Sequence, residues 1–172
     1  MSITATPSDI GAQKSVLSLE RLTIVLIAGA FGTIAFEIFG QAISPLLGGS
    51  RLAPVPLAAS VFKAIAGFGS KPAAYMLHYL AGVLCYPLAF ALIGRPLWKS
   101  IAPSVPWYVV AVAFGLFQWV FALYVMAHVI AGMPPFLNFA GITWAALYGH
   151  VIYALVAIGV SQHLSISWGR KT

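Results

Sequence analysis

The chain has 172 residues, 61% of them hydrophobic and only 7% charged, with a mean hydropathy of +0.96. A soluble domain carries about 25% charged residues, so this composition excludes an ordinary water-facing surface, and with Asp9, Glu20 and Glu37 as its only acids it has no run of carboxylates for Mg²⁺ or Ca²⁺. The net charge of +6 arises from nine Lys and Arg scattered singly or in pairs between apolar blocks, without the basic face that tracks nucleic-acid phosphates.

Met1 to Arg21 is polar and reads as a cytoplasmic N-terminal tail (residues 1–21). A helix crossing the hydrocarbon core of about 30 Å needs roughly 20 apolar residues. Four runs meet that length: Leu22 to Leu47, Pro72 to Gly94, Trp107 to Ala131 and Phe139 to Gln162. The first is too long for a signal-peptide core and is read as a retained span. Period-2 alternation is absent, and unclosed strands would leave backbone polar groups bare in lipid, so all four are expected to be helices. The expected fold is therefore all-α, a polytopic membrane domain over 22–162 with four helices in one antiparallel bundle, followed by a cytoplasmic C-terminal tail over 163–172.

Basic residues set the orientation. Lys14, Arg21, Arg95, Lys99, Arg170 and Lys171 fall on one side, and Arg51, Lys63 and Lys71 on the other, which favours both ends inside. In the first outer connection, Gly48 to Lys71, the residues Leu57, Val61, Phe62, Ile65 and Phe68 recur at helical spacing opposite Ser60 and Lys63. A short interfacial helix over about residues 57–68 is predicted there. Gly132-Met133-Pro134-Pro135 forms a tight stop between the third and fourth helices. Trp98, Trp107, Trp144, Trp168, Tyr75 and Tyr108 lie near predicted boundaries, where amphipathic rings anchor helices at the interface.

In the first helix Gly29, Gly32, Thr33, Glu37, Gly40, Gln41 and Ser44 recur at steps of three and four and read as one small, polar face turned into the bundle. Glu37 lies about midway, where a carboxylate needs a partner or a proton. Matching depths along antiparallel helices places Gln118 and His150 near it, so an intramembrane polar cluster of Glu37, Gln41, Gln118 and His150 is expected, with Glu37 bonded to His150. Such a pair either fixes helix register or shares a proton.

His78 and His128, on the second and third helices, are the candidate contacts for a b-type haem or for a quinone, the latter with Tyr75, Tyr79, Trp119 and Phe121 nearby. The preferred expectation is no cofactor. The lone Cys85 offers no disulfide or Cys-x-x-Cys motif, and no phosphate loop, nucleophile elbow or His-Glu-x-x-His run is present. Halves of unlike connection length argue against a repeat-built transporter.

Gly29-Ala30-Phe31-Gly32-Thr33, His78-Tyr79-Leu80-Ala81-Gly82 and His150-Val151-Ile152-Tyr153 resemble motifs of uncharacterised families of small four-helix bacterial inner-membrane proteins, over roughly Leu22 to Gln162. The resemblance implies the bacterial inner membrane and brings no established activity to transfer, and Glu37 stands where those families would have an apolar residue. The functional expectation is a non-enzymatic accessory or stabilising subunit. Its partners would be the lipid bilayer and other membrane subunits or further copies of itself, not nucleic acid. The alternatives are a haem- or quinone-binding redox component, or a small proton-handling channel or carrier using Glu37 and His150.

Overall fold

Ser18 opens the first helix: its hydroxyl accepts a hydrogen bond from the Arg21 amide (3.3 Å), satisfying one of the free N–H groups of the first turn. The helix therefore starts inside the predicted N-terminal tail. The computed structural model describes residues 18–168, and no strand occurs among them. Four helices are long and apolar enough to cross a membrane: α1 (Leu19–Leu46), α3 (Lys71–Ile101), α4 (Trp107–Ile130) and α5 (Gly141–Trp168). They make the chain a multi-pass membrane protein. A shorter helix, α2 (Pro54–Ala66), occupies the first connection. It starts three residues before the predicted segment because Pro54 suits a first helical turn, and it stops at Gly67, whose φ of 79° ends it in the left-handed conformation. Residues 1–17 and 169–172, which hold most of the first predicted tail and the end of the second, lie outside the described residues.

The second long helix runs well past the predicted end at Gly94, through Pro96 to Ile101. Pro45, Pro87 and Pro96 each lie two residues beyond a wide π-type turn, at Phe39–Ile43, Ala81–Cys85 and Phe90–Gly94 respectively. A proline inside a helix lacks an N–H and its ring presses on the carbonyl four residues back. A widened turn absorbs that mismatch and lets the helix continue.

The Pro87 site has a consequence for packing. The carbonyl four residues back belongs to Val83, and it faces Gly29 of α1 so closely that a Cβ on Gly29 would collide with it and lie 2.8 Å from Pro87 Cγ. One residue earlier, the Gly82 carbonyl accepts a hydrogen bond from the Tyr153 hydroxyl of α5 (2.5 Å). A Cβ on Gly82 would approach Thr33 Oγ1 to 2.5 Å. The loosened backbone of α3 is thus gripped by both α1 and α5.

The residues of α1 divide into two faces, not the single face read from the sequence. Gly29, Thr33 and Glu37, at steps of four, meet α3. Gly32 and Phe36, again four apart, meet α5: a Cβ on Gly32 would lie 2.9 Å from Ala157 Cβ, and Phe36 packs edge-on against His150 with ring centroids 5.3 Å apart. On the other flank of α5, Gly115 brings α4 against the Val151 and His150 backbone. The resulting order is α3, α1, α5, α4.

Between α3 and α4 there are few close backbone approaches. Trp98 Nε1 donates to the Val105 carbonyl and pins their connection at one end (3.0 Å), so Trp98 is a buried clamp rather than an exposed anchor. Ring contacts Phe90–Phe114 (5.2 Å) and Tyr86–Phe121 (6.4 Å) bridge the middle. Toward the other end the helices splay, and α2 is wedged there against the start of α3 and the second half of α4. Ala58 and Val61 of α2 are buried, while Ile65 and Phe68 of the predicted stripe face outward.

The turn from α4 to α5 is left-handed. Phe136, Leu137, Asn138 and Phe139 all have φ near 50°, a conformation costing roughly 1–2 kcal/mol per residue for L-amino acids. It is held by the Phe136 ring tilted against Trp119 (4.9 Å), by Thr143 Oγ1 donating to the Phe136 carbonyl (2.6 Å), and by Trp119 Nε1 donating to the Thr143 carbonyl (3.0 Å).

If the Gly29 contact sets how α1 and α3 meet, Gly29→Ala lowers stability in detergent by about 1–3 kcal/mol, the usual cost of overpacking. Gly69→Ala, where nothing lies within 4 Å of the new methyl, leaves the thermal midpoint unchanged. Equal midpoints for the two variants would contradict the packing described.

Candidate functional site

Splayed helices of unequal spacing leave a space that side chains must fill or a ligand can enter. Between α3 and α4, beneath α2, lies a cavity of about 360 Å³, at the lower end of the range of small-molecule pockets. Leu57 and Val61 of α2, Ala81 of α3, and Ala122 and Met126 of α4 make its walls largely apolar. Both long walls are π-wound, Ala81–Cys85 in α3 and Phe121–Ile130 in α4. Its polar groups are few: Thr33, the Cys85 thiol, Tyr86, Tyr153 and the imidazoles of His78 and His150.

Glu37 Oε1 and His78 Nε2 are 2.6 Å apart, with both side chains mostly shielded. This differs from the expected Glu37–His150 bond, and the reason is azimuth rather than depth. Glu37 lies nine residues from the end of α1 and His150 nine residues from the start of α5, so both sit about 14 Å in from the same end of the molecule. Glu37, however, belongs to the face that meets α3, and Phe36 on the other face lies between the two histidines, 6.1 Å from the His78 ring and 5.3 Å from the His150 ring. His150 instead donates from Nδ1 to the Ala146 carbonyl of its own helix (2.7 Å).

The other expected cluster members are placed elsewhere. Gln41 Nε2 donates to the Leu52 carbonyl (3.0 Å) and Ser44 Oγ donates to the Ser50 carbonyl (2.8 Å), tying down the strap that inserts Leu52 over Gly40. Gln118 is fully buried, and among the described residues its amide has no hydrogen-bond partner. A buried amide without a partner costs stability instead of adding it. His128 Nδ1 donates to the Met133 carbonyl (2.7 Å), closing the end of α4, and it does not line the cavity that His78 lines. The pairing of His78 with His128 around a haem therefore has no shared space. Of the aromatics expected around a quinone, Phe121 lines the cavity, whereas Tyr75 and Tyr79 stack on each other at the exposed surface. Trp119 supports the left-handed turn.

Phe36, Leu52 and Tyr153 are the site residues that sequence reasoning passed over. Phe36 and Tyr153 are aromatic residues in apolar runs and Leu52 lies in the connection after α1, and only the three-dimensional arrangement singles them out. Among the described residues no group of three or more His, Cys, Asp or Glu side chains is placed to hold a metal ion. No protein-family model, curated protein or solved structure matches the chain.

The Glu37–His78 bond makes its own prediction. In a double-mutant cycle, Glu37→Gln and His78→Phe each lower the melting temperature in detergent, and together they cost less than their sum, because removing the second partner no longer strands the first. Glu37→Gln combined with His150→Phe should be additive. Coupling to His150 in place of His78 would show that α1 is rotated from the arrangement seen here.

Proposed function

We propose that this protein is a non-enzymatic membrane protein that takes a small, largely apolar molecule from the lipid phase into the cavity between α3 and α4. The observation that carries this reading is the cavity itself, walled by alanines and by two imidazoles. Protein interiors are ordinarily filled to the density of organic crystals, and this half-open space between α3 and α4 departs from that filling. The π-wound walls agree with that reading, since π-type turns recur at functional sites.

The setting proposed for it is the bacterial inner membrane, with the four long helices as one antiparallel bundle and both termini inside. In that orientation α2 lies at the outer boundary, above the splay, with Ile65 and Phe68 turned toward lipid. A reporter that is active only inside should be active when fused after residue 172 and silent when inserted near Gly67. The reverse pattern would overturn the orientation.

The binding reading is tested by filling the cavity. Ala122 is mostly buried and lines it, so Ala122→Trp places an indole where the ligand would lie. Solvent extracts of the purified wild type should contain a co-purifying small molecule that is reduced at least about tenfold in the variant, equivalent to 1.4 kcal/mol of lost affinity. Identical extracts from two equally folded proteins would sink the proposal. Recovery of both with a stoichiometric protein partner and no small molecule would favour an accessory subunit.

A further inference from the structure

The hydrogen bonds already made in the cavity wall restrict what a ligand can offer there. His150 Nδ1 bonds a backbone carbonyl, which can only accept, so Nδ1 carries the hydrogen. In the neutral imidazole Nε2 is then an acceptor, and it is the ring nitrogen left for a ligand. His78 lines the same cavity, and the hydrogen bond it makes among the described residues uses Nε2, toward Glu37. Its Nδ1 is left. When the Glu37–His78 pair is net neutral Nδ1 donates, and when the pair has lost one proton Nδ1 accepts.

The two imidazoles therefore differ: one calls for a donor, and the other accommodates either role. Phe36 stands between them, with Tyr86, Phe121 and Tyr153 contributing further ring surface. The volume of about 360 Å³ suits one substituted ring. The gap between α3 and α4 offers an exit for an apolar tail.

Building on the binding reading above, we infer that the cavity takes the phenolic head of a tailed aromatic alcohol, a ligand of the quinol class, with a ring hydroxyl donating to His150 Nε2 and a second ring oxygen meeting His78 Nδ1. An alkyl chain or plain hydrocarbon leaves both nitrogens without partners in an apolar wall, which a site built to pair a ligand hydroxyl penalises. The carbonyl form of the same ring cannot donate to His150. The site thus prefers the hydroxyl form.

The test uses the full chain in detergent under reducing conditions, with three probes: a decyl-substituted benzene-1,4-diol, its di-O-methyl ether, and decylbenzene. Equilibrium binding to the wild type should be at least about tenfold tighter for the diol than for the ether or the hydrocarbon, a floor well under the roughly 10⁴–10⁵ by which a buried site built for a hydroxyl rejects analogues lacking one. His150→Phe should erase that preference while still binding decylbenzene. Equal binding of all three probes by the wild type would overturn the inference and leave the cavity reading standing. Binding of none would remove both. The wild-type comparison needs no variant, so it decides the matter even if His150→Phe does not fold.

Discussion

The arrangement of this molecule depends on one stretch of backbone, Gly82 and Val83 in α3. In lipid a carbonyl released from a helix has no water to turn to, and Pro87 leaves the Val83 carbonyl without its usual partner. Gly29 of α1 receives it at a distance no side chain would permit, while Tyr153 of α5 bonds the neighbouring Gly82 carbonyl. A local defect becomes the joint that fixes three helices relative to one another.

The rest of the site follows from that joint. With α3 drawn onto α1 and α5, and α4 drawn onto α5 through Gly115, α3 and α4 are left as the flanks of an open arrangement. Their connection is clamped at one end by Trp98, so the opening lies at the other end, where α2 enters. Glu37 meets His78 one turn along from Thr33 on the face of α1 that serves α3. The cavity is thus the geometric remainder of three tight interfaces, and its polar groups are those the same interfaces bring to its edge.

Much of the architecture is legible in the sequence, because length and hydropathy are properties of a segment by itself. The four long helices, the helix in the first connection and the tight stop before α5 all follow from such local signals. Depth was also readable: Glu37 and His150 do lie at matching heights. Azimuth was not. Residues 29, 33 and 37 fall on one face and 32 and 36 on another, separated by about 100° of helix rotation, and nothing in an apolar run of one chain says which neighbour each face will meet. The far end of α3 was not legible for a related reason. The apolar run ends at Gly94, before Arg95, yet the π-type turn Phe90–Gly94 lets α3 continue through Pro96 to Ile101. The left-handed turn at Phe136 to Phe139 lacks the glycine that would announce it, since its support comes from Trp119 and Thr143, which lie away from it in the chain.

The proposed binding of a ligand rests on α3 and α4 standing apart around a cavity with His78 in its wall. An experimental structure in a lipidic environment tests it most directly. The expected result is α3 and α4 held apart beneath α2, with ordered non-protein density between them touching His78 and His150. Helices closed against each other, with Ala81 and Ala122 in contact and the cavity filled by the protein's own side chains, would contradict it.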